Sequence, residues 1–341
     1  MNKKTQMNFN LNNFLLAVTD ILDTRDIEKN NVSKSHSLRI AYVSLKIGEQ
    51  LSLEPKEMFN LCAYSLFHNY IDSKNSKILR IEDTTGNINK IVTFVHHLDE
   101  EYDLSKSEIK NRSKIISSVN NEEELELVFL KISSSIDFWM DCQSPSMIIQ
   151  YIYGTLYDFT EVLTFEEVLN RTKMFGNIYE DVNPFLEKCK KMIDFYSFEE
   201  KDKWTFLISA SMIQFGKLSL PSEIIGKKSK LTDSEYEIVK SNIYHNKNAL
   251  RAIYGFDDIS KWATRHQEQL DGKGYPSQLN ASDLSLKDRL MSVLNIYTAL
   301  VTEKTYRYKY SHNEAIEILS LMAKNYRLDA SIIKDLQTIF K

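Results

Sequence analysis

An all-helical fold is predicted by three features of the 341-residue chain. Turn residues are scarce: 9 Gly and 5 Pro stand where average usage would supply roughly 40, too few for a sandwich, a barrel or a doubly wound sheet. Apolar residues recur at helical spacing, as at Leu38, Ala41, Tyr42 and Leu45 in HSLRIAYVSLKIGEQL (36–51). Helix starts are also marked, Thr232-x-x-Glu235 and Ser285-x-x-Asp288 reading as capping boxes.

The helix over 36–51 carries a second apolar face of Ile40, Val43 and Ile47, so other helices are expected to enclose it. Further helices are expected over about 55–71, 87–97, 106–119 and 121–139. The Phe- and Tyr-rich segment from Met147 to Phe175 reads as a helical connector. From about Asp181 the pattern continues through helices near 182–197, 201–215, 232–243, 246–253, 257–268, 285–303 and 312–324. With 43 Lys+Arg against 47 Asp+Glu the formal charge is −4, and no strongly basic surface is expected, so DNA is not an expected partner. Met1–Asn13 is polar and lacks the apolar core of a signal peptide, and no run of about 18 apolar residues suggests a transmembrane span. Cys62, Cys142 and Cys189 lie far apart with no CxxC pair, which fits reduced thiols in a cytoplasmic protein better than a disulfide framework or zinc knuckle.

An internal repeat organises the chain. ILRIEDTTGNINKIVTFVHHLDE (78–100) parallels ALRAIYGFDDISKWATRHQEQLD (249–271), so that Leu79-Arg80 match Leu250-Arg251 and, after a slip of one residue, His96-His97 face His266-Gln267. His36 and His68 are 32 residues apart, as are Asp181 and Ile213. The offset grows from 145 at these upstream pairs to 170 at His96 and 175 between Asn120 and Asn295. The first copy therefore lacks the 25 residues that the second holds as GKLSLPSEIIGKKSKLTDSEYEIVK (216–240).

At Asp271-Gly272-Lys273-Gly274-Tyr275-Pro276 two of the nine glycines and one of the five prolines gather in a single turn. A tight turn with positive φ would explain them by itself. In context, HQEQLDGKGYP, followed by DRLMSVLNIYTALVTEKTYR (288–307) and preceded by GKLSLPSEII and KLTDSEYEIVK, resembles the HD-GYP family of cyclic-di-GMP phosphodiesterases over nearly all of residues 181–325. HSLRIAYVSLKIGEQL, SLFHNYI and VHHLDE in the first half resemble a reduced HD domain. The resemblance implies two tandem HD-like helical bundles, the second with an HD-GYP-type extension. The implied domains are 10–130, a connector over 131–180, and 181–341.

The resemblance further implies a core in which His and Asp hold iron or manganese ions that activate water for attack on phosphorus. Carried onto the second copy, the early His falls on Asp181, the His-Asp pair on Ile213-Gln214, and the middle His on Asn242. The His-His pair falls on His266-Gln267, with Glu268 kept, and the late Asp on Asn295. Neutral side chains cannot balance two adjacent metal ions, so a pseudo-enzyme that has kept its scaffold is expected. His245 is the one nearby substitute, but on a helix it lies nearly a turn from Asn242. The first copy keeps His36, His68-Asn69 and His96-His97, with Asn120 at the late Asp, and two readings stay open there. These are one Fe, Mn or Zn ion on these histidines, or core histidines hydrogen-bonded among polar neighbours with no cofactor.

Lys217, Lys304 and Arg307 match basic positions that in the family lie near substrate phosphates, and could hold a cyclic dinucleotide without metal or simply satisfy helix ends. Asp271, Gly272, Gly274, Tyr275 and Pro276 match a turn implicated in docking diguanylate-cyclase domains, and the same residues could serve loop architecture alone. Three functions follow: a non-catalytic signalling or interaction protein, a residual metal-dependent phosphodiesterase or phosphohydrolase, and a metal-free nucleotide receptor.

Overall fold

Most of the described residues are helical, because the sequence supplies apolar stripes and side-chain caps and few breakers. A computed structural model describes residues 6–30, 32–82, 86–106, 113–115, 124–156, 160–227, 229–303 and 308–340. Two units emerge: Phe9–Glu161, and Val162–Lys341 together with Met1–Asn8. The stretch 131–180 is therefore shared between them.

In the N-terminal unit, helices α1 (Leu11–Asn30), α2 (His36–Gln50), α3 (Pro55–Phe67), α4 (Ser73–Leu79) and α5 (Asn87–Tyr102) are followed by α6 (Glu124–Ile132), α7 (Ile136–Cys142) and α8 (Pro145–Leu156). Every residue of α2 from His36 to Leu45 is buried, as its two apolar faces require, and the helix packs against α1, α3, α5, α6 and α8. Helix α3 starts at a capping box of Glu54 and Glu57 with Pro55 in its first turn, and runs into a 3-10 turn, His68–Tyr70. The predicted helix over 121–139 is broken at Ser133–Ser135, where the Ser135 hydroxyl caps the new helix through the Asp137 N–H. The predicted helix over 106–119 lies largely outside the described residues, as does Asn120.

Strand β1 (Gln6–Phe9) pairs with β2 (Glu161–Thr164), most of each belonging to the C-terminal unit. This short sheet interrupts the predicted helical connector, and a Thr164–Glu167 capping box then starts α9 (Phe165–Gly176). Helices α10 (Asn183–Phe195), α11 (Glu200–Ser211), α12 (Ser222–Ile225), α13 (Asp233–Arg251) and α14 (Asp257–Thr264) lead to α15 (Leu286–Val301), α16 (His312–Lys324) and α17 (Ala330–Ile339). Central α11 packs on α9, α10 and α14. The two helices expected over 232–243 and 246–253 are one: Asn246 does not break it but is buried, its Nδ2 donating to the Met212 carbonyl at 3.0 Å. Both expected capping boxes, Thr232–Glu235 and Ser285–Asp288, are formed. All three cysteines are free and buried. Among the described residues no helix is long and apolar enough to cross a membrane.

Gly216, in the 3-10 turn Phe215–Ser219, lies against α13 so closely that a Cβ would sit 2.3 Å from the Asn242 carbonyl oxygen. Gly216→Ala is expected to destabilise the protein by about 1–3 kcal/mol through overpacking against backbone. In helix α8 a Cβ on Gly154 would meet nothing within 4 Å, so Gly154→Ala should be neutral or stabilising by up to ~1 kcal/mol. Urea unfolding of both variants checks the pair, and equal effects would contradict the close approach.

Candidate functional site

Three histidines meet in the N-terminal unit. His36 opens α2, His68 opens the 3-10 turn after α3, and His96 projects from α5. One ring nitrogen of each lies within 4.8 Å of the others, and the ring centroids are 4.8–5.4 Å apart. His97, the next residue along α5, is turned about 100° further round the helix and is 72% exposed, so it does not join the cluster. His266 belongs to the other unit.

Hydrogen bonds set the ring tautomers. His36 Nδ1 lies 2.5 Å from Asp99 Oδ2, so its N–H donates to a carboxylate that also accepts from Arg39 Nε and Nη2, both at 2.8 Å, and from the Leu104 N–H at 3.0 Å. Burial works against the Asp99 charge, but the hydrogen bonds from His36 and Arg39 hold its carboxyl below the usual range. His68 Nδ1 donates to the Ser65 carbonyl at 2.8 Å, which can only accept. Burial, with His36 close by, pulls His68 down to about 3, so the ring is neutral with its lone pair on Nε2. Nε2 of His36 and Nε2 of His68 are both buried without a hydrogen-bond partner. Burial also lowers His96, whose Nε2 lies 3.0 Å from Glu100 Oε1. Around this group Asp26 accepts from Asn69 and Tyr70, and burial pushes Asp23 up to about 6.

Imidazoles fixed through Nδ1 by a carboxylate and a carbonyl, with Nε2 free, have the arrangement of metal-ligating histidines and their supporting groups. Three nitrogen ligands suit zinc, iron or manganese. The residues present therefore fit a single transition-metal ion.

The C-terminal unit differs. Asp181, Ile213, Gln214, Lys217, Gln267 and Asn295, far apart in sequence, share the lining of a pocket of about 240 Å³. Across it, Gln214 Nε2 donates to Asn295 Oδ1 at 3.0 Å. Gln214 Oε1 is buried without a partner, as is Thr298 Oγ1 on the same wall. Asp181 accepts from the Asn183 N–H and side chain, two residues before the first residue of α10. Lys217 lies with Nζ 5.2 Å above the Tyr179 ring.

Three other expected positions are withdrawn from this lining. Asn242 is buried against Gly216, its Nδ2 bonded to the Val239 carbonyl of its own helix. His266 is buried, Nδ1 donating to the Ala263 carbonyl at 2.8 Å. Glu268 is turned to the signature turn, where it accepts from the Ser277 and Leu279 N–H groups at 2.7 and 3.0 Å. His245 packs beside Tyr244 and lines no part of the pocket. Lys304 and Arg307 lie outside the described residues. Uncharged Ile213, Gln214, Gln267 and Asn295 do not fit a dinuclear metal centre.

The turn Asp271–Pro276 is tied down from within. Asp271 bridges to Asn280, Gly272 has φ +74°, and a Cβ on Gly274 would fall 2.4 Å from the Glu268 Cα. Tyr275 is half-buried, its ring centroid 6.4 Å from that of Tyr236, and burial raises its phenol. Gly274 is itself buried, so it serves the loop's packing.

Residues 166–332 match the family model described as HD domain. The chain is 25% identical over 182 residues to 3'3'-cGAMP-specific phosphodiesterase 1 of Vibrio cholerae, covering 51% of this chain and 42% of that protein. It is 30% identical over 133 residues to a cyclic di-GMP phosphodiesterase of the same organism, covering 37% and 27% respectively. This chain thus spans less than half the length of either relative. A crystal structure of a cyclic GMP-AMP specific phosphodiesterase from V. cholerae shares the fold, with TM-score 0.60 and 14% identity over 98% of both chains.

Burial, and to a lesser extent Lys217, pulls His266 down to about 4. The unfolded imidazole titrates near 6.5, so between these values the unfolded chain binds more protons and stability falls as pH drops from about 6.5 to 4. His266→Gln should flatten the stability-against-pH curve in this window by up to about 3 kcal/mol, read from urea unfolding at stepped pH. An unchanged slope would contradict the buried neutral ring.

Proposed function

We propose that this chain, which carries an HD domain over residues 166–332, is an HD-GYP-type pseudo-phosphodiesterase that acts in cyclic-dinucleotide signalling by binding rather than by hydrolysis. The hydrogen bond from Gln214 to Asn295 carries this reading. It joins two neutral side chains at positions where the resemblance expects charged metal ligands, and Ile213 beside them offers no donor atom. The relatives named cGAMP and cyclic di-GMP phosphodiesterases support a cyclic dinucleotide as the ligand class. Lys217 on the pocket wall supplies a cation for a phosphate, and Lys304 and Arg307 are proposed to assist it. The turn Asp271–Pro276 is proposed as the docking face for a diguanylate-cyclase or other signalling domain. Separated buried thiols support action in the cytoplasm.

A second reading is favoured by the unpartnered Nε2 atoms of His36 and His68. In it the N-terminal unit is a residual metal-dependent phosphodiesterase or phosphohydrolase holding one Fe, Mn or Zn ion on His36, His68 and His96. Such an ion supplies Lewis acidity when bound. Asp99 and the Ser65 carbonyl orient His36 and His68, and Arg39 keeps Asp99 ionised.

Protein purified without chelator is expected to hold no more than a single transition-metal ion, to lose it in His68→Ala, and to turn over neither cyclic di-GMP nor 3'3'-cGAMP with added iron or manganese. Turnover that persists in His68→Ala overturns the non-hydrolytic reading of the C-terminal pocket. Turnover that disappears in His68→Ala assigns activity to the N-terminal unit instead.

A further inference from the structure

The C-terminal unit has a second concavity, which shares no lining residue with the pocket around Gln214 and Asn295. Its volume is about 390 Å³, within the range of small-molecule sites. Two helices supply its cations in matched pairs four residues apart: Lys247 and Arg251 at the end of α13, and Lys261 and Arg265 along α14 and at its C-terminal cap. Like charges at this spacing repel and weaken a helix, yet both pairs are turned towards one space.

The surrounding carboxylates compensate this charge only in part. Lys261 pairs with Asp258 at 3.2 Å and Arg265 with buried Asp288 at 3.3 Å. Lys247 meets the Ser277 hydroxyl at 3.2 Å, and the exposed Arg251 side chain has no hydrogen bond or ion pair among the described residues. Asp257 is the one carboxylate of the lining. The remaining wall is the end of the turn, Pro276, and the loop that follows it, where Pro276 and Leu279 add apolar surface. The buried Glu268 carboxylate grips that loop through the Ser277 and Leu279 N–H groups, so the wall is fixed before any ligand arrives.

We propose that this pocket binds a phosphorylated small molecule of nucleotide size. Lys247 and Arg251 take the phosphates, Lys261 and Arg265 extend the positive field, and Pro276 and Leu279 meet an apolar face of the ligand. Concave shape and modest size favour a small molecule over a nucleic acid, which would need a broad basic surface that a chain of net charge −4 lacks. The site stands independently of what the pocket around Gln214 binds.

Calorimetry on the full chain with GTP, and separately with inorganic pyrophosphate, both without added metal, tests the proposal. Binding is expected, weakening as salt is raised, and Lys247→Ala/Arg251→Ala should lower affinity by about tenfold or more with the melting temperature unchanged. Lys261→Gln, on the other helix, should also weaken binding, whereas Lys190→Ala, an exposed cation on α10 outside both pockets, should leave it intact. Equal affinity for both probes assigns the site to phosphate alone, and tighter GTP binding adds contact with the base or sugar. Absence of heat with both probes at millimolar concentration, or affinity unchanged in both basic-pocket variants, would overturn the assignment.

Discussion

A cluster of metal ions inside a helical bundle must be balanced by charged ligands, and in the C-terminal unit a neutral hydrogen bond, Gln214 Nε2 to Asn295 Oδ1, spans the pocket on which the proposed reading rests. Glu268 holds a loop and His266 is locked to the Ala263 carbonyl, while Asp181, on the pocket lining, accepts from Asn183. The scaffold that would position ligands persists: Gly216 lets the turn carrying Gln214 press on α13 beside Asn242, and Gly274 lets the signature turn press on Glu268. Packing accounts for Gly216, Gly274 and Glu268 in this region.

The N-terminal unit presents the opposite state. Its charge is kept and deeply buried, with Asp99 between His36 and Arg39, while two neighbouring Nε2 atoms remain without partners. A buried polar atom without a partner is costly, and two such nitrogens in one histidine cluster suit a shared cation. The two units thus differ: the N-terminal one groups three histidine rings around an ionised carboxylate, the C-terminal one lines its pocket with neutral side chains.

Much of this was legible in the sequence through its resemblance to a known family. Carried onto the two copies of the repeat, the resemblance grouped His36, His68, His96 and His97 at one site and Asp181, Ile213, Gln214, Gln267 and Asn295 at another; the structure joins His36, His68 and His96 and brings the second five to one pocket. What escaped was what rotation and burial decide. His97 follows His96 directly but faces solvent, and Glu268 looks like a ligand yet turns to the backbone of the loop. Helix α1 has buried Asn12, Asn13, Thr19, Asp23 and Asp26 on its core side, which blurs its apolar stripe, and the short sheet β1–β2 pairs segments too distant for local patterning to reveal. The basic pocket depends on two helices meeting, and each i,i+4 cation pair by itself reads as a solvated face.

The most direct test restores the missing ligands. Ile213→His, Gln214→Asp, Gln267→His and Asn295→Asp would be combined in a His68→Ala background, which removes the N-terminal cluster, and iron and manganese content measured against the His68→Ala parent. The account predicts uptake in the restored protein and none in the parent. Metal already bound by the parent would contradict the claim that the neutral Gln214–Asn295 pair stands in place of a metal centre.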